Sequence, residues 1–273
     1  MAEVLGAVRV SYYKRKNRKP GKRAVEEEVL VSEIKEVNRE IKGIYRSVKI
    51  MKELRKHGLK VSCRRVRRLM REHNIKTKVK IRFIKTTDSR HGELWSPNLL
   101  NRNFRTSRPN EAWVSDISYI KVGVGHWYLC VIIDLFSRKV VGWSFRDHMR
   151  DDLVIEALEN AVRTRRPPEG LIFHSDGGRQ FVSGDFREKL KKYKMVQSMS
   201  RKGDPWDNAV AESFFSHLKD EEVPDSGYAD SETAADALFS YIETLYNRKR
   251  MHYYLDDLSP EEFEKLYELN VVA

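Results

Sequence analysis

Apolar residues recur at helical spacing in the first part of the chain and at strand-like spacing after residue 112. The first pattern predicts three helices, at residues 26–39, 45–57 and 63–73. Leu30, Ile34 and Val37 share the inner face of the first helix. Gly58 is expected to end the second helix, and Ser62 is a good N-cap for the third. Two helices joined by so short a turn predict a helix-turn-helix domain.

From residue 113 the pattern is that of strands alternating with helices. Strands are predicted at residues 113–121, 127–135, 140–145, 171–174 and 195–198, and helices at residues 151–164 and 183–193. Gly123 and Gly125 are expected to turn the chain between the first two strands. This order predicts a mixed sheet with helices on both sides.

A helix that begins near Asp207 is the element around which this half is organised. Gly203 and Pro205 interrupt any earlier helix, and Asp207 is predicted to be the N-cap. The face predicted to pack on a core carries Val210, Ala211, Phe214 and Leu218, and the outer face carries Asn208, Glu212, Phe215 and Lys219. Glu212 and Lys219 lie two turns apart and are therefore aligned. A last amphipathic helix is predicted at residues 232–246.

The charge is divided unevenly between the two halves. Residues 1–110 contain 31 Lys and Arg against 11 Asp and Glu, whereas the remainder contains 21 against 29. The third predicted helix carries Arg64, Arg65, Arg67, Arg68 and Arg71. We expect it to enter the major groove of double-stranded DNA, with a merely solvated basic helix as the alternative.

These patterns divide the chain into five predicted segments. They are a basic N-terminal segment at residues 1–24 with a short helix near 8–13, a helix-turn-helix domain at 25–76, a basic linker at 77–110, a catalytic core at 111–222 and a helical extension at 223–273. No run of 18 apolar residues and no apolar signal region occur, so we expect a soluble protein that is not exported. Cys63 and Cys130 lie in no metal-ligand spacing, which disfavours a disulfide framework or a zinc site.

Three acids occupy positions where a carboxylate needs a partner. Asp116 is in the middle of the first strand, Asp176 follows a buried strand directly before two glycines, and Glu212 lies on the outer helix face. A carboxylate in a strand centre is costly unless it is paired or bound to a metal. Oxygen ligands without cysteine or paired histidine favour Mg²⁺ or Mn²⁺ over zinc. Two such ions can activate a water or a 3′-hydroxyl against a phosphodiester.

Each acid taken alone has a plainer interpretation as a helix cap or a salt bridge. We interpret Asp134 and Asp185, which both lie beside turns, in that way. His174, two residues before Asp176, is either a substrate contact or a histidine whose hydrogen bonds are satisfied within the core. The alignment of Lys219 with Glu212 indicates a contact to a DNA phosphate or base.

The spacing of the acids resembles that of the D-D-(35)-E polynucleotidyl transferases, which include retroviral integrases and bacterial insertion-sequence transposases. Thirty-five residues separate Asp176 from Glu212. The segments 113–120, 134–138, 174–176 and 207–215, with Lys219 and the tail 246–260, are similar to the second-frame protein (OrfB) of two-frame insertion sequences. The chain departs from that pattern just after Asp176, at Gly177, Arg179 and Phe181. Retroviral integrases have an N-terminal His/Cys zinc module, and its absence favours the bacterial branch.

The resemblance implies an α/β fold, a ribonuclease-H-like mixed sheet flanked by helices and preceded by an all-α helix-turn-helix domain. It implies that Asp116, Asp176 and Glu212 bind two Mg²⁺ or Mn²⁺ ions. The implied function is a transposase catalytic subunit that nicks DNA at element ends and transfers the 3′-hydroxyl to target DNA, in the bacterial cytoplasm at the nucleoid. Implied partners are the first-frame protein or a frameshift fusion with it, and further copies of the chain on DNA.

Two other functions remain open from the sequence. One is a DNA-binding regulator with an inactive nuclease-like domain, which would not need three acids facing a polyanion. The other is a ribonuclease-H-type nuclease that only hydrolyses, which would need the same metal ions.

Overall fold

The computed structural model of the protein describes residues 21–78, 95–202 and 204–272. The chain divides into one compact unit that ends at Lys78 and a second that begins at Val79. The short helix predicted near residues 8–13 lies outside the described residues. No helix in the described ranges is long and apolar enough to cross a membrane.

The first unit contains three helices, as the sequence predicts. They are α1 (Lys22–Glu40), α2 (Ser47–Lys56) and α3 (Cys63–Glu72). The three helices pack against one another and bury one side chain each completely: Ile34 of α1, Leu54 of α2 and Val66 of α3. The Ser62 hydroxyl accepts a hydrogen bond from the backbone N–H of Arg65 at 3.3 Å, which confirms the predicted cap. The turn between α2 and α3 thus has the form expected of a helix-turn-helix.

The second unit is built on one five-stranded sheet. Its strands are β1 (Ala112–Val122), β2 (Gly125–Asp134), β3 (Val140–Arg146), β4 (Ile172–Ser175) and β5 (Val196–Met199). They lie in the order β3-β2-β1-β4-β5. The pairs β1–β2 and β2–β3 are antiparallel, whereas β4 runs parallel to both β1 and β5. The predicted mixed sheet is therefore confirmed.

Helices cover both faces of this sheet. They are α4 (Asp151–Arg165), the short α5 (Arg179–Val182), α6 (Gly184–Lys192) and α7 (Ala209–Glu221). On one face α4 and α6 bury Leu158 and Phe186 against Trp113 and Phe173 of the strands. The helix α7 packs on β1 and β2, with Phe214 and Leu218 buried.

The C-terminal part departs from the single helix predicted at residues 232–246. Helix α8 (Ser231–Phe239) continues into a π-helical stretch, Ser240–Tyr246, which ends with an N–H of Asn247 bonded to the carbonyl of Ile242. The wider turn accompanies the burial of Tyr241 and Tyr246 in the core. A short 3-10 helix (Tyr253–Leu255) and helix α9 (Pro260–Val272) follow, and neither was predicted.

Helix α9 is held to the sheet by a buried acid. Glu264 forms an ion pair with Arg165 at 2.7 Å, and its Oε1 also accepts a hydrogen bond from the Ser137 hydroxyl. Arg165 pairs in addition with Asp134 at 3.2 Å. Because the charged partners come from distant parts of the sequence, helical spacing alone gives no sign of this contact.

Both edges of the sheet are covered by polar groups from neighbouring segments. Along β3, the side-chain amide of Asn247 accepts from the N–H and donates to the carbonyl of Val140. Thr164 donates to the carbonyl of Val141, and Asn160 to that of Trp143. Along β5, the carbonyl of Pro97 accepts from an outward-facing N–H of the strand at 3.3 Å. This second cover comes from residues 95–100, within the linker predicted from the sequence at 77–110.

The close approach of α4 to β3 depends on the absence of a side chain at Gly142. A Cβ atom there would lie 2.4 Å from the carbonyl oxygen of Ala157 and 2.6 Å from the Cβ of Ala161. We expect Gly142→Ala to lower the free energy of unfolding by about 1–3 kcal/mol, since neither backbone can yield cheaply. Urea denaturation of the purified variant would measure the change.

Gly184→Ala serves as the matched control for that experiment. An added Cβ at Gly184, the first residue of α6, meets no described atom within 4 Å. Alanine also favours helix, so this variant is expected to be as stable as the parent or slightly more stable. Equal losses in the two variants would show that the packing at Gly142 is not special.

Candidate active site

Two of the predicted acids, Asp116 and Asp176, lie at matching levels of the neighbouring strands β1 and β4. In the parallel pair β1–β4, Val114 lies opposite His174 and Ser115 opposite Ser175, so Asp116 and Asp176 occupy the next level. An oxygen of Asp116 accepts from the N–H of the next residue at 2.8 Å. Asp176 lies just past the end of β4 and accepts from the N–H of Gly178 at 3.0 Å. The register of the sheet thus brings the two carboxylates together.

The third acid is placed by the start of α7. The side-chain amide of Asn208 donates to the carbonyl of Ser115 at 3.0 Å, which fixes the helix start against the strand of Asp116. Glu212 lies about one turn further along the helix and is exposed to solvent. The structure therefore puts Asp116, in the middle of β1, next to Asp176, just past the end of β4, and brings Glu212 near enough for its charge to act on Asp116.

All three carboxylates are harder to ionise than usual. The pKa of Asp116 is raised well above its ordinary range by burial, then by the charge of Asp176, and further by Glu212. Burial raises the pKa of Asp176, and partial burial followed by the charge of Asp176 raises that of Glu212. Crowded carboxylates of this kind attract a cation, because it relieves both their desolvation and their mutual repulsion.

Asp207 is not the N-cap that the sequence predicts. A 3-10 turn, Pro205–Asn208, precedes α7, and the carboxylate of Asp207 is buried. It accepts from the backbone and guanidinium of Arg201 at 2.8–2.9 Å, from Arg102 at 2.9 Å and from Asn98 at 2.8 Å. The hydrogen bonds from Arg201 hold the pKa of Asp207 far below its ordinary value. The Asp207 carboxylate is therefore used by the arginines that precede the helix and, among the described residues, does not accept a hydrogen bond from the first backbone N–H groups of α7.

Two outer-face assignments on α7 are also wrong. Asn208 and Phe215 are buried rather than exposed, whereas Val210, assigned to the inner face, is only half-buried. Asn208 turns inward because its amide bonds the strand carbonyl described above. Phe215 contacts the ring of Phe214, so the buried arc of the helix is wider than its apolar spacing implies.

Of the two interpretations of His174, substrate contact or core histidine, the structure supports the core histidine. Its Nδ1 accepts from the hydroxyl of Ser198 at 2.8 Å, and its Nε2 donates to the carbonyl of Asp207 at 3.0 Å. Burial lowers the pKa of His174 to about 4, so the ring is neutral at pH 7. The ring joins β4, β5 and the turn before α7. Asp134 is likewise structural, since it is buried and paired with Arg165.

Lys219 lies within electrostatic reach of the acids. Its ammonium is 4.5 Å from the centroid of the Tyr119 ring, an arrangement typical of a cation–π contact. Burial lowers the pKa of Lys219, and the charge of Asp116 opposes that shift. The side chain therefore places a positive charge within electrostatic reach of Asp116, from the same helix that carries Glu212.

The arginines of α3 fall into two groups. Arg65 and Arg68 face α1, where Glu27 lies 3.7 Å and 2.5 Å from their guanidinium groups. Arg64, Arg67 and Arg71 are exposed. These three positions are spaced three and four residues apart and therefore share one helix face.

One residue of this site gives no signal in the sequence. Trp95 donates its indole N–H to the carbonyl of Ser200 at 2.9 Å, and its ring lies against Gly177, next to Asp176. A lone tryptophan in a segment without periodicity looks like part of a linker. Its place beside the acids follows only from the fold of residues 95–100 along β5.

The donor set suits a hard divalent cation. Carboxylate oxygens without thiolate or imidazole nitrogen are the ligands that Mg²⁺ and Mn²⁺ prefer. Among the described residues, no three or more His, Cys, Asp or Glu side chains already converge in a metal-holding arrangement. The acids that could bind a cation are Asp116 and Asp176, with Glu212 beside them.

The family models identify the class of protein as a polynucleotidyl transferase of the integrase type. Two models of the integrase core domain match residues 106–205 and 212–266 respectively, and a model of an HTH-like domain matches residues 24–83. A solved structure of the HTLV-2 integrase catalytic core domain with magnesium aligns over 57% of this chain and 96% of its own, at 19% identity and a TM-score of 0.41.

Relatives with higher sequence identity show which proteins within this class the chain belongs with. The chain is 41% identical over 249 residues to the transposase for insertion sequence element IS904 of Lactococcus lactis, covering 91% of this chain and 98% of the relative. It is 36% identical to an uncharacterized 31 kDa protein of insertion element IS600 of Shigella sonnei, over 98% of each chain. It is 38% identical to transposase InsF for IS3A of Escherichia coli, over 81% of this chain and 76% of the relative. The chain belongs to the insertion-sequence transposases, which confirms the resemblance.

Removal of the Asp207 charge should destabilise the protein in a pH-dependent way. Asp207→Asn is expected to cost about 1.5–3 kcal/mol at pH 7, because the arginine hydrogen bonds lose their charged acceptor. The depressed pKa of Asp207 means that its contribution is full above the unfolded-state pKa of about 4 and is lost below it. The gap between parent and variant should therefore narrow as the pH falls from 5 to 3, as followed by thermal unfolding.

Glu169→Gln is the matched control. It also removes one negative charge, but from an exposed ion pair with Lys194. Such pairs contribute about 0–1 kcal/mol, so little loss is expected at any pH. A gap for Asp207→Asn that stays constant down to pH 3 would contradict the charged role of that carboxylate.

Proposed function

We propose that this transposase nicks DNA at the ends of its element and joins the freed 3′-hydroxyl to a phosphodiester of target DNA, at the site formed by Asp116, Asp176 and Glu212. The observation that carries the proposal is the strand register that puts Asp116 level with Asp176, with the helix of Glu212 bonded to the same strand through Asn208; the raised pKa values of the three acids agree with it. A module that only binds DNA gains nothing from negative charges held together at a cost in stability.

In this proposal the three acids hold two Mg²⁺ or Mn²⁺ ions. Once bound, such ions activate a water or 3′-hydroxyl and stabilise the leaving oxygen of the phosphodiester. The chain's own contribution is positional: the strand register aligns the two aspartates, and Asn208 fixes the helix of Glu212. Lys219 is assigned to a DNA phosphate or base near the reacting bond, since its ammonium lies beside the acids.

The helix-turn-helix unit is assigned to double-stranded DNA. Its exposed arginines Arg64, Arg67 and Arg71 lie on one face of α3, which suits insertion into the major groove. The resemblance to two-frame insertion sequences supports a first-frame protein, or a frameshift fusion with it, as partner. It also supports a homo-oligomer on DNA and a place of action at the nucleoid in the bacterial cytoplasm.

The acids are tested by substitutions that remove charge and keep shape. Asp116→Asn, Asp176→Asn and Glu212→Gln should each abolish nicking and joining of element-end DNA in Mg²⁺, while DNA binding stays near that of the parent. Mg²⁺ should raise the melting temperature of the parent but not of the variants, because a ligand that binds only the folded state stabilises it. Gel assays of nicked and joined products and thermal unfolding give the two measurements.

Glu159→Gln, an exposed acid on α4, is the control and should behave as the parent. Full activity in any one acid variant would remove that residue from the site. Nicking without joining in the parent would favour a hydrolytic nuclease, and DNA binding without either activity would favour a regulator.

The two groups of arginines should respond differently to alanine substitution. Arg64→Ala, Arg67→Ala and Arg71→Ala should weaken DNA binding, by about 1–3 kcal/mol with relaxed sequence preference where a base edge is contacted. Where a phosphate is contacted, the salt slope should fall by about one. Arg65→Ala and Arg68→Ala should instead loosen the packing of α3 on α1, because each loses Glu27.

Binding titrations at several salt concentrations, with thermal unfolding beside them, separate these outcomes. Arg65 and Arg68 provide the matched comparison, since they lie on the same helix and carry the same charge. Loss of DNA binding on Arg68→Ala with unchanged stability would contradict the assignment of faces.

A further inference from the structure

Residues 95–100 form a strap that runs along the outer edge of β5. Ser96 donates its backbone N–H to the sulfur of Met199 at 3.5 Å and its hydroxyl to Gln197 at 3.0 Å. The N–H of Leu99 bonds the hydroxyl of Ser198 at 2.9 Å. The strap begins at Trp95, whose indole N–H is satisfied by the carbonyl of Ser200. These bonds fix both the backbone beside Trp95 and one end of its ring.

The other end of the indole occupies space that a side chain at Gly177 would need. A Cβ at Gly177 would lie 2.0 Å and 2.2 Å from Cη2 and Cζ3 of Trp95. The ring is rigid and tethered at its nitrogen, so it cannot turn aside without losing the bond to Ser200. Gly177 and Trp95 are therefore a matched pair, and the indole lies against the residue that directly follows Asp176.

The indole is held in this way and still presents surface to solvent. Trp95 is 37% exposed. Arg201, which follows the carbonyl that anchors the indole, is half exposed and pairs with Asp207, so a cationic group borders the same region. A flat aromatic surface beside a carboxylate centre and a guanidinium suits a ligand that combines a planar ring with a phosphate. A nucleotide of the DNA substrate has that chemistry.

We propose that Trp95 is a DNA-contacting residue of the active site, whose indole stacks on a nucleobase adjacent to the reacting phosphodiester. The inference rests on the proposed function and deepens it. Stacking on an aromatic ring is tolerant of sequence and holds a base that has left the duplex stack. Trp95 would thereby keep the strand end open over Asp176, with Gly177 as the floor beneath the ring.

The test uses the full chain and a duplex of the element end with 2-aminopurine placed in turn at each position flanking the cleaved bond. In the absence of divalent cations, the parent should change the 2-aminopurine fluorescence at one of these positions on binding. Trp95→Ala should abolish that change and lower the rate of nicking in Mg²⁺ by about 10- to 100-fold, the loss expected for one stacked base. Trp95→Phe should keep the fluorescence change and most of the rate.

Gly177→Ala provides a second variant that leaves the tryptophan in the chain. The added Cβ should displace the indole, with loss of the fluorescence change and a lower melting temperature. The double variant Trp95→Ala/Gly177→Ala should be more stable than Gly177→Ala alone, because the clash has gone, and should still lack the change. Tyr253→Ala, which removes an aromatic side chain that is 89% exposed, is the control and should match the parent.

The 2-aminopurine fluorescence is measured without divalent cations, so the stacking test does not require the protein to nick or join DNA. Absence of nicking and joining by the parent would defeat the proposed function alone. A position-specific fluorescence change that survives Trp95→Ala would overturn the stacking. Loss of thermal stability in Trp95→Ala with an unchanged nicking rate would also overturn it and leave Trp95 as a packing residue.

Discussion

The geometry of the active site depends on the ion pairs between the buried carboxylate of Asp207 and two arginines. This carboxylate is held by the guanidinium groups of Arg201 and Arg102, and the backbone carbonyl of the same residue accepts a hydrogen bond from Nε2–H of His174. The next residue, Asn208, reaches across to the carbonyl of Ser115. Two consecutive residues thus join the helix of the third acid to both strands that carry the other two. Displacement of this turn would separate the acids without any change in the acids themselves.

The arrangement that this turn maintains is electrostatically unfavourable by itself. Burial raises the pKa values of all three acids, and repulsion by neighbouring carboxylates adds to the shift at Asp116 and Glu212, so the fold has to offset that cost elsewhere. The apolar contacts of α4 and α6 with the sheet provide the compensation, through rings such as Trp113 and Phe173 that are fully buried. The charged site therefore lies on one side of β1 and β4, while the other side carries a continuous apolar core. A divalent cation would remove much of the electrostatic cost on binding.

Local pattern was sufficient for most of the fold and for the acids. Alternation and helical spacing gave each strand and the three helices of the first unit to within a few residues, because each such element buries one face. The acids stood out because a carboxylate at a strand centre such as Asp116 is costly. What failed depends on contacts between distant residues. Asp207 was predicted to be a cap because one arginine partner, Arg102, is distant in the sequence and the other, Arg201, precedes it at a spacing that is not helical. Helix α9 was missed because Glu264 faces inward. Trp95 belongs to the same class, since only the three-dimensional path of the strap puts it beside Gly177.

The covered sheet edges described above have a consequence for how copies of the chain can meet. An open edge strand is a template on which a second chain can add its own strand, as happens in domain swapping and aggregation. Here Thr164 and Asn160 occupy outward carbonyls of β3, and Pro97 occupies an outward amide of β5. Extension of the sheet from one molecule into the next is thereby discouraged at both ends. Among the described residues, helical and loop surfaces are the ones left open to a second copy, and contacts there can form and dissolve without disturbing the strands that hold Asp116 and Asp176 in register.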